Sequence, residues 1–301
     1  MTFTKEDNSI VTRASIKFYH WLAKYIPDRV TPNMITISGF APLMGFYIAW
    51  LNGFYYPLGI SAGIFINHVF DYLDGIHARA TSKTSSLGGY LDHFFDLVGI
   101  LSVTHMTVFT LTDSYYHLYN IILLTICGAF LTHYETAVTK IMYFPEYISI
   151  GELQLFGAAI HLVNFITGWT VYMGKLLLPV FYLSAVTYLF IFLRRLKIKF
   201  NIASICLLFT MLLFVLVPRQ LSNLSIINMS LAGVSLVEKL IYSHSFNKAI
   251  TLSYTIYPCL FLETFGYNKM ASICIIVEQV YKWMERSDET SCQIQSIDKE
   301  I

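Results

Sequence analysis

Charge is what this chain has least of. Asp, Glu, Lys and Arg make up 13% of its 301 residues, where a soluble domain carries about a quarter. Stretches 30–70, 97–112, 114–134 and 200–218 hold none at all. A soluble core of this size needs far more polar covering, so a water-soluble globule is excluded. Each stretch approaches or exceeds the roughly 20 mainly apolar residues that cross a bilayer. Cysteine is sparse too: Cys127, Cys206, Cys259, Cys274 and Cys292 are scattered, without a CxxC or other metal spacing. That excludes a zinc module and leaves packing thiols. The net charge of +1 says little about partners, and no nucleic-acid partner is expected. The opening MTFTKEDNSI lacks the apolar stretch of a cleaved signal peptide. Internal repeats and low-complexity tracts are absent as well.

What is present is a series of apolar runs. They predict an all-α polytopic integral membrane protein with about ten transmembrane helices, at 33–52, 54–73, 89–111, 117–138, 150–168, 176–194, 200–218, 224–243, 249–265 and 268–284. Pro258, Glu263 and Glu278 interrupt the last two. Before the first run, Ile10, Ala14, Phe18, Trp21 and Tyr25 fall on one helical face, and Arg13, Lys17, His20 and Lys24 on a neighbouring one. This suits an amphipathic helix in the membrane interface, cations toward headgroups; a cytosolic helix packed on its own protein remains the alternative. The division expected is a cytosolic N-terminus over 1–30, a membrane domain over 31–285 and a cytosolic tail over 286–301. With the N-terminus in the cytosol, the connections facing away hold only Lys175, Arg219 and Lys269 of the 20 Lys and Arg. This bias sets the expected orientation and puts the 74–88 loop on the cytosolic side.

Four carboxylates stand out in this greasy chain, in DYLDGIHARATSKTSSLGGYLDHFFD (71–96). Residues three or four apart share a helical face, so Asp71 and Asp74 project together from the end of one helix, and Asp92 and Asp96 from the start of the next. The short connection makes the two helices antiparallel neighbours. Four like charges in low dielectric repel and are costly; one or two divalent cations remove both problems, and oxygen-only ligands favour Mg²⁺, Mn²⁺ or Ca²⁺. Gly75 lets a substrate approach the backbone beside Asp74, and Gly88 allows close approach at the next helix. Arg79 offers a fork of donors matched to phosphate oxygens. Two metals could bridge a pyrophosphate and neutralise a leaving phosphate. The bland alternative, solvated acids near a helix end, does not account for all four at this spacing with the Gly and Arg.

The stretch resembles the signature of the CDP-alcohol phosphotransferases, D-x2-D-G-x2-A-R-x8-G-x3-D-x3-D, with Asp71, Asp74, Gly75, Ala78, Arg79, Gly88, Asp92 and Asp96 all in place. The resemblance implies transfer of a phosphoalcohol from a CDP-alcohol to a second alcohol with release of CMP. It implies that Asp71, Asp74, Asp92 and Asp96 hold two Mg²⁺ or Mn²⁺ ions, and that Asp74, Gly75, Ala78 and Arg79 embrace the CDP, with Asn33, Thr36, Thr81 and Gly88 around it. TPNMITISG (31–39) looks like the opening of the family's first span. His93 after the third aspartate, the 133–156 segment ending near Glu152, and GVSLVEKLIYSH (233–244) resemble the eukaryotic choline/ethanolamine branch. Phe94 and Phe95 replace that branch's Gly-Cys, and Ala80, Ser82 and Ser86 depart from its loop. The resemblance thereby implies an enzyme of the endoplasmic reticulum or Golgi membrane, acting on CDP-ethanolamine or CDP-choline and diacylglycerol within the lipid bilayer, as a homodimer.

The acceptor hydroxyl must lose a proton as it attacks, and a base poised near neutral pH does this best. His93, with an unperturbed pKa of about 6.5, is the expected base, and Glu152 its orienting or proton-accepting partner; Asp96 is the next candidate. His77 is expected to be solvated or near the cytidine, and His68, His105 and His161 to be satisfied core histidines. Interhelical hydrogen bonding is the default for Glu135, Glu238, Glu263 and Glu278. Three other classes compete. A phosphatidylinositol-type synthase would use CDP-diacylglycerol. An intramembrane prenyltransferase would set its two Asp motifs far apart in the chain. A cation transporter would hold its carboxylates near the midplane on broken helices.

Overall fold

Proline and small hydroxyl residues at the edges of the apolar runs decide where helices begin. In the computed structural model, described over residues 4–7, 9–144, 149–168, 171–195 and 222–246, helix α1 spans Ile10–Ala23 and starts at Ser9, whose side chain accepts from the Thr12 amide. Helix α2, Pro32–Leu51, starts at Thr31 with Pro32 in the first turn. There a missing N–H costs nothing. Helix α3, Pro57–Ala80, repeats that proline start. Helix α4, Ser86–Thr112, is capped by Ser85. Helix α5 is Tyr115–Thr139, α6 Ile150–Thr167, α7 Val171–Arg195 and α8 Asn223–Phe246. Helix α6 ends at Gly168, whose φ of +68° suits a residue without a Cβ. Five of these helices (α2, α4, α5, α6 and α8) are long and apolar enough to cross a membrane.

Seven of the ten expected spans are therefore helices, α2 to α8. Those at 200–218, 249–265 and 268–284, and the tail 286–301, lie outside the described residues. One correction emerges. The second span does not stop at residue 73: α3 runs on to Ala80 and the loop is only 81–85. Gly75 alone weakens a helix by about 1 kcal/mol, and the Ala78-Arg79-Ala80 run restores propensity. The turn comes only at Ser82, with φ of 55°. The expected all-α class holds among the described residues, apart from one short pair of strands. Strands β1 (Thr4–Asp7) and β2 (Ile141–Phe144) pair in parallel, Thr4 opposite Ile141.

The helices pack in two groups joined by α4. Leu97 and Leu101 of α4 meet Ile122, Ile126 and Phe130 of α5 and Ile226, Val237 and Leu240 of α8. On the other side Val103 and Met106 meet Leu43 of α2, Ile60 and Ile64 of α3 and Ala158 of α6. Small residues permit the approach, as expected where packing rather than water drives association. A Cβ at Gly157 would stand 2.9 Å from Val103 and 3.2 Å from the Thr107 hydroxyl. Tyr19 of α1 is buried with Ile35 of α2 and Val69, Leu73 and Ile76 of α3, while Ile10, Phe18, Trp21 and Tyr25 are exposed.

Candidate active site

The signature residues lie at the end of the bundle where α3 finishes and α4 starts. Extension of α3 puts Asp71, Asp74, Gly75, Ala78 and Arg79 all on helix rather than partly in a loop. The Ser85 hydroxyl accepts from the Gly88 amide at 2.9 Å, which sets the first turn of α4 and the phase of Asp92 and Asp96 after it. Asp71, Asp92 and Asp96, each half-buried, bring one carboxylate oxygen apiece within 4.8 Å of one another. Three such charges converging at partial burial repel unless a cation joins them. An all-oxygen donor set of this kind fits a hard divalent ion.

The fourth aspartate sits apart in role. Asp74 is buried, and its Oδ2 accepts from the Thr36 hydroxyl of α2. The expected nucleotide residues meet in pairs. Asn33 Oδ1 lies 3.2 Å from where a Cβ on Gly88 would stand, so α2 and α4 touch there. The Arg79 guanidinium folds back over Gly75, 3.2 Å from the position of a Cβ at that residue. Ala78 is buried. Thr81 is engaged by its own helix, its hydroxyl donating to the His77 carbonyl at 2.8 Å and closing the end of α3.

His93 is buried one residue beyond the first α4 carboxylate, its Nδ1 3.9 Å from Asp92 Oδ2. Two imidazoles also stand beside it, His133 of α5 and His244 of α8. From His93 and Asp96 a mainly apolar cavity follows α4 as far as Thr107, between α5, α6 and α7. The eleven rises from Asp96 to Thr107 make that path about 16 Å long.

A sequence model of the CDP-alcohol phosphatidyltransferases matches residues 29–231. The chain belongs to that family. Among its relatives, choline/ethanolaminephosphotransferase 1 of Saccharomyces cerevisiae is 27% identical over 161 residues, 48% of this chain and 40% of the yeast protein. Ethanolaminephosphotransferase 1 of Homo sapiens is 24% identical over 172 residues, 50% of this chain and 43% of the human one. The CDP-diacylglycerol–serine O-phosphatidyltransferase of Encephalitozoon cuniculi is 33% identical over 104 residues, 31% of this chain and 27% of that enzyme. The matched stretches thus span less than half the length of these relatives.

Against the family signature, the structure joins three of the four aspartates in one ligand group and gives the fourth a hydroxyl partner. It does not join Glu152 to His93. Glu152 Oε2 accepts from the Ser149 amide at 3.1 Å and from the Ser149 hydroxyl, a capping box that closes the start of α6. Its Oε1 accepts from the Val11 amide at 3.1 Å, the start of α1. Both oxygens are engaged by helix N-termini, which is where a carboxylate is most stable. Of the two places expected for His77, solvent is overturned: it is buried, with Nε2 2.9 Å from the Val30 carbonyl. Glu238 behaves as expected, accepting from the Tyr90 hydroxyl at 2.6 Å across α4 and α8. Sequence reasoning missed His133 and His244. Two signals were there: each is an ionisable residue inside an apolar run, which by default marks function, and each stands at an edge of a segment, 133–156 or 233–244, that resembles the choline/ethanolamine branch.

Proposed function

We propose that the chain transfers phosphoethanolamine or phosphocholine from its CDP ester to diacylglycerol, forming phosphatidylethanolamine or phosphatidylcholine and releasing CMP. One observation carries the reading: the carboxylate group of Asp71, Asp92 and Asp96 opens, through His93, into an apolar cavity between helices. A hydrophilic nucleotide and a lipid acceptor need adjoining sites of opposite character, and this is that pairing. The likeness to the yeast and human enzymes supports the head-group branch.

In this reading residues 31–285 form the catalytic membrane domain, a homodimer in the endoplasmic reticulum or Golgi membrane. The aspartate end faces the cytosol, in keeping with the bias of Lys and Arg, and α1 lies in the interface. Asp71, Asp92 and Asp96, with Asp74 beside them, would hold two Mg²⁺ or Mn²⁺ ions. Those ions would neutralise charge on the pyrophosphate and on the departing phosphate. Arg79 supplies donors to phosphate oxygens. Gly75 and Gly88 leave room for the nucleotide, with Asn33, Thr36, Ala78 and Thr81 around it. The acceptor oxygen attacks the β-phosphorus, the bond from that phosphorus to the bridging oxygen breaks, and CMP leaves with the bridging oxygen. The hydroxyl proton passes to His93. Glu152 contributes by holding the start of α6 and of α1 in place.

The test is the purified full chain in detergent with dioleoylglycerol, Mg²⁺ or Mn²⁺, and labelled CDP-ethanolamine or CDP-choline. CDP-diacylglycerol with serine or inositol runs in parallel. Labelled phospholipid and CMP from the first pair, lost in excess chelator, are expected. Product from CDP-diacylglycerol alone would overturn the head-group reading, and undiminished turnover in chelator would overturn the metal reading.

A further inference from the structure

We infer that His133 and His244 form a hydrogen-bonded imidazole pair that positions His93 for proton transfer, an inference that rests on His93 being the proton acceptor. His133 Nδ1 lies 3.1 Å from His244 Nε2, and the two rings are nearly parallel, at 7° with centroids 5.3 Å apart. His93 stands edge-on to both, with centroids at 5.7 and 5.6 Å and ring planes tilted by 60° and 64°. The three residues come from α5, α8 and α4 and are all buried.

An imidazole that takes a proton must hold one nitrogen on the reacting hydroxyl, yet its ring torsion is broad and close to two-fold. Neighbours therefore have to choose the ring plane. The bond between His133 and His244 occupies one nitrogen of each, so one donates and the other accepts, and their tautomers are coupled. This locks two rings into a wall, and the edge-on approach of His93 admits few other orientations. The wall stands at the site: His133 lines the same cavity as His93 and Asp96. Three facing imidazoles with no structural duty would be a poor choice in an apolar bundle, where an ionisable group is expensive. His68, His105 and His161 each take a tyrosine hydroxyl instead.

The test is steady-state kinetics of the full chain in detergent with dioleoylglycerol and either CDP-amino alcohol. His133→Ala and His244→Ala should each lower kcat about tenfold or more, the scale of a misplaced catalytic group, while KM for the CDP-alcohol stays put. His133→Asn with His244→Gln restores an amide atom near each lost nitrogen and should recover part of the loss. In a His93→Ala background neither alanine should slow the enzyme further, because the pair acts only through His93. If an alanine variant does not fold, His133→Phe or His244→Phe, which keeps the ring and loses the bond, carries the same test. Wild-type kcat in the His133 and His244 variants, with His93→Ala slow, would overturn this inference alone, as would a further loss in the His93→Ala background. Wild-type kcat in His93→Ala would overturn the proton-acceptor reading and this inference with it.

Discussion

Two groups of three among the buried histidines have partners that differ in kind. His68, His105 and His161 each meet the hydroxyl of a tyrosine from another segment: Tyr19 at 3.0 Å, Tyr47 at 2.8 Å and Tyr55 at 3.3 Å. His68 adds Gln154 at 3.1 Å and His161 adds Thr107 at 3.3 Å. Each of these joins one element to the next and asks nothing of a substrate. His93, His133 and His244 face one another instead, beside three converging carboxylates and a cavity. A Tyr–His contact satisfies a buried imidazole with a neutral partner and serves as glue between helices. A cluster of imidazoles against carboxylates satisfies nobody so cheaply, and is kept where chemistry needs it.

That contrast can be broken by mutation. The largest effect belongs to the carboxylates: Asp71→Asn, Asp92→Asn or Asp96→Asn should lower turnover by about 10³-fold or more, since several kcal/mol of charge stabilisation depend on them. Retained turnover in two of the three, measured on folded protein in detergent, would dissolve the site.

Next comes the comparison itself. His93→Ala should lower kcat by about 10²–10⁴-fold, the usual worth of general-base catalysis. His105→Ala and His161→Ala should leave kcat per folded molecule unchanged and lower the thermal midpoint. Equal losses of kcat in both sets would show that the division is not functional.

Glu152 is the sharper case, because its place in the chain suggested catalysis and its contacts show capping. Glu152→Gln should keep kcat within about tenfold of wild type and cost about 1 kcal/mol of stability, the worth of a cap. A loss as deep as that of His93→Ala would return Glu152 to the chemical step.

The smallest effect is expected from Tyr47→Phe. It removes one interhelical hydrogen bond worth about 0.6 kcal/mol in a membrane bundle. A thermal shift of a degree or two with unchanged kinetics would confirm the structural role, and a kinetic defect would contradict it.

How far the sequence could be read depends on the range of the interactions involved. Ser85 and Thr31 could be recognised as helix starts because a cap acts over three residues. The 3- and 4-residue spacings of the aspartates predicted two pairs; Asp92 and Asp96 of α4 do converge, while on α3 Asp71 joins them and Asp74 meets Thr36. The reach of α3 to Ala80 was less legible, since Gly75 and the charges at its end resemble a loop. Pairing of β1 with β2 joins residues at opposite sides of five helices and leaves no local trace. The duty of Glu152 was half visible: Ser149 three residues before it spells a capping box, but its bond to Val11 crosses 141 positions.

Scarcity of charge and the length of the apolar runs were enough, by themselves, to make this a membrane bundle, and spacing was enough to place the carboxylates two to a helix at facing helix ends. Both come from local rules of hydropathy and helical geometry. Only the tertiary structure decided that Asp71 meets Asp92 and Asp96 while Asp74 turns to Thr36, and that His93 meets His133 and His244 rather than Glu152. Those outcomes depend on how far each helix is rotated about its own axis and how deep it sits against its neighbours. Close contacts such as Gly157 against Val103 and Gly233 against Ile126 set that rotation, and a one-residue change of phase, about 100° around a helix, would have brought a different set of side chains together.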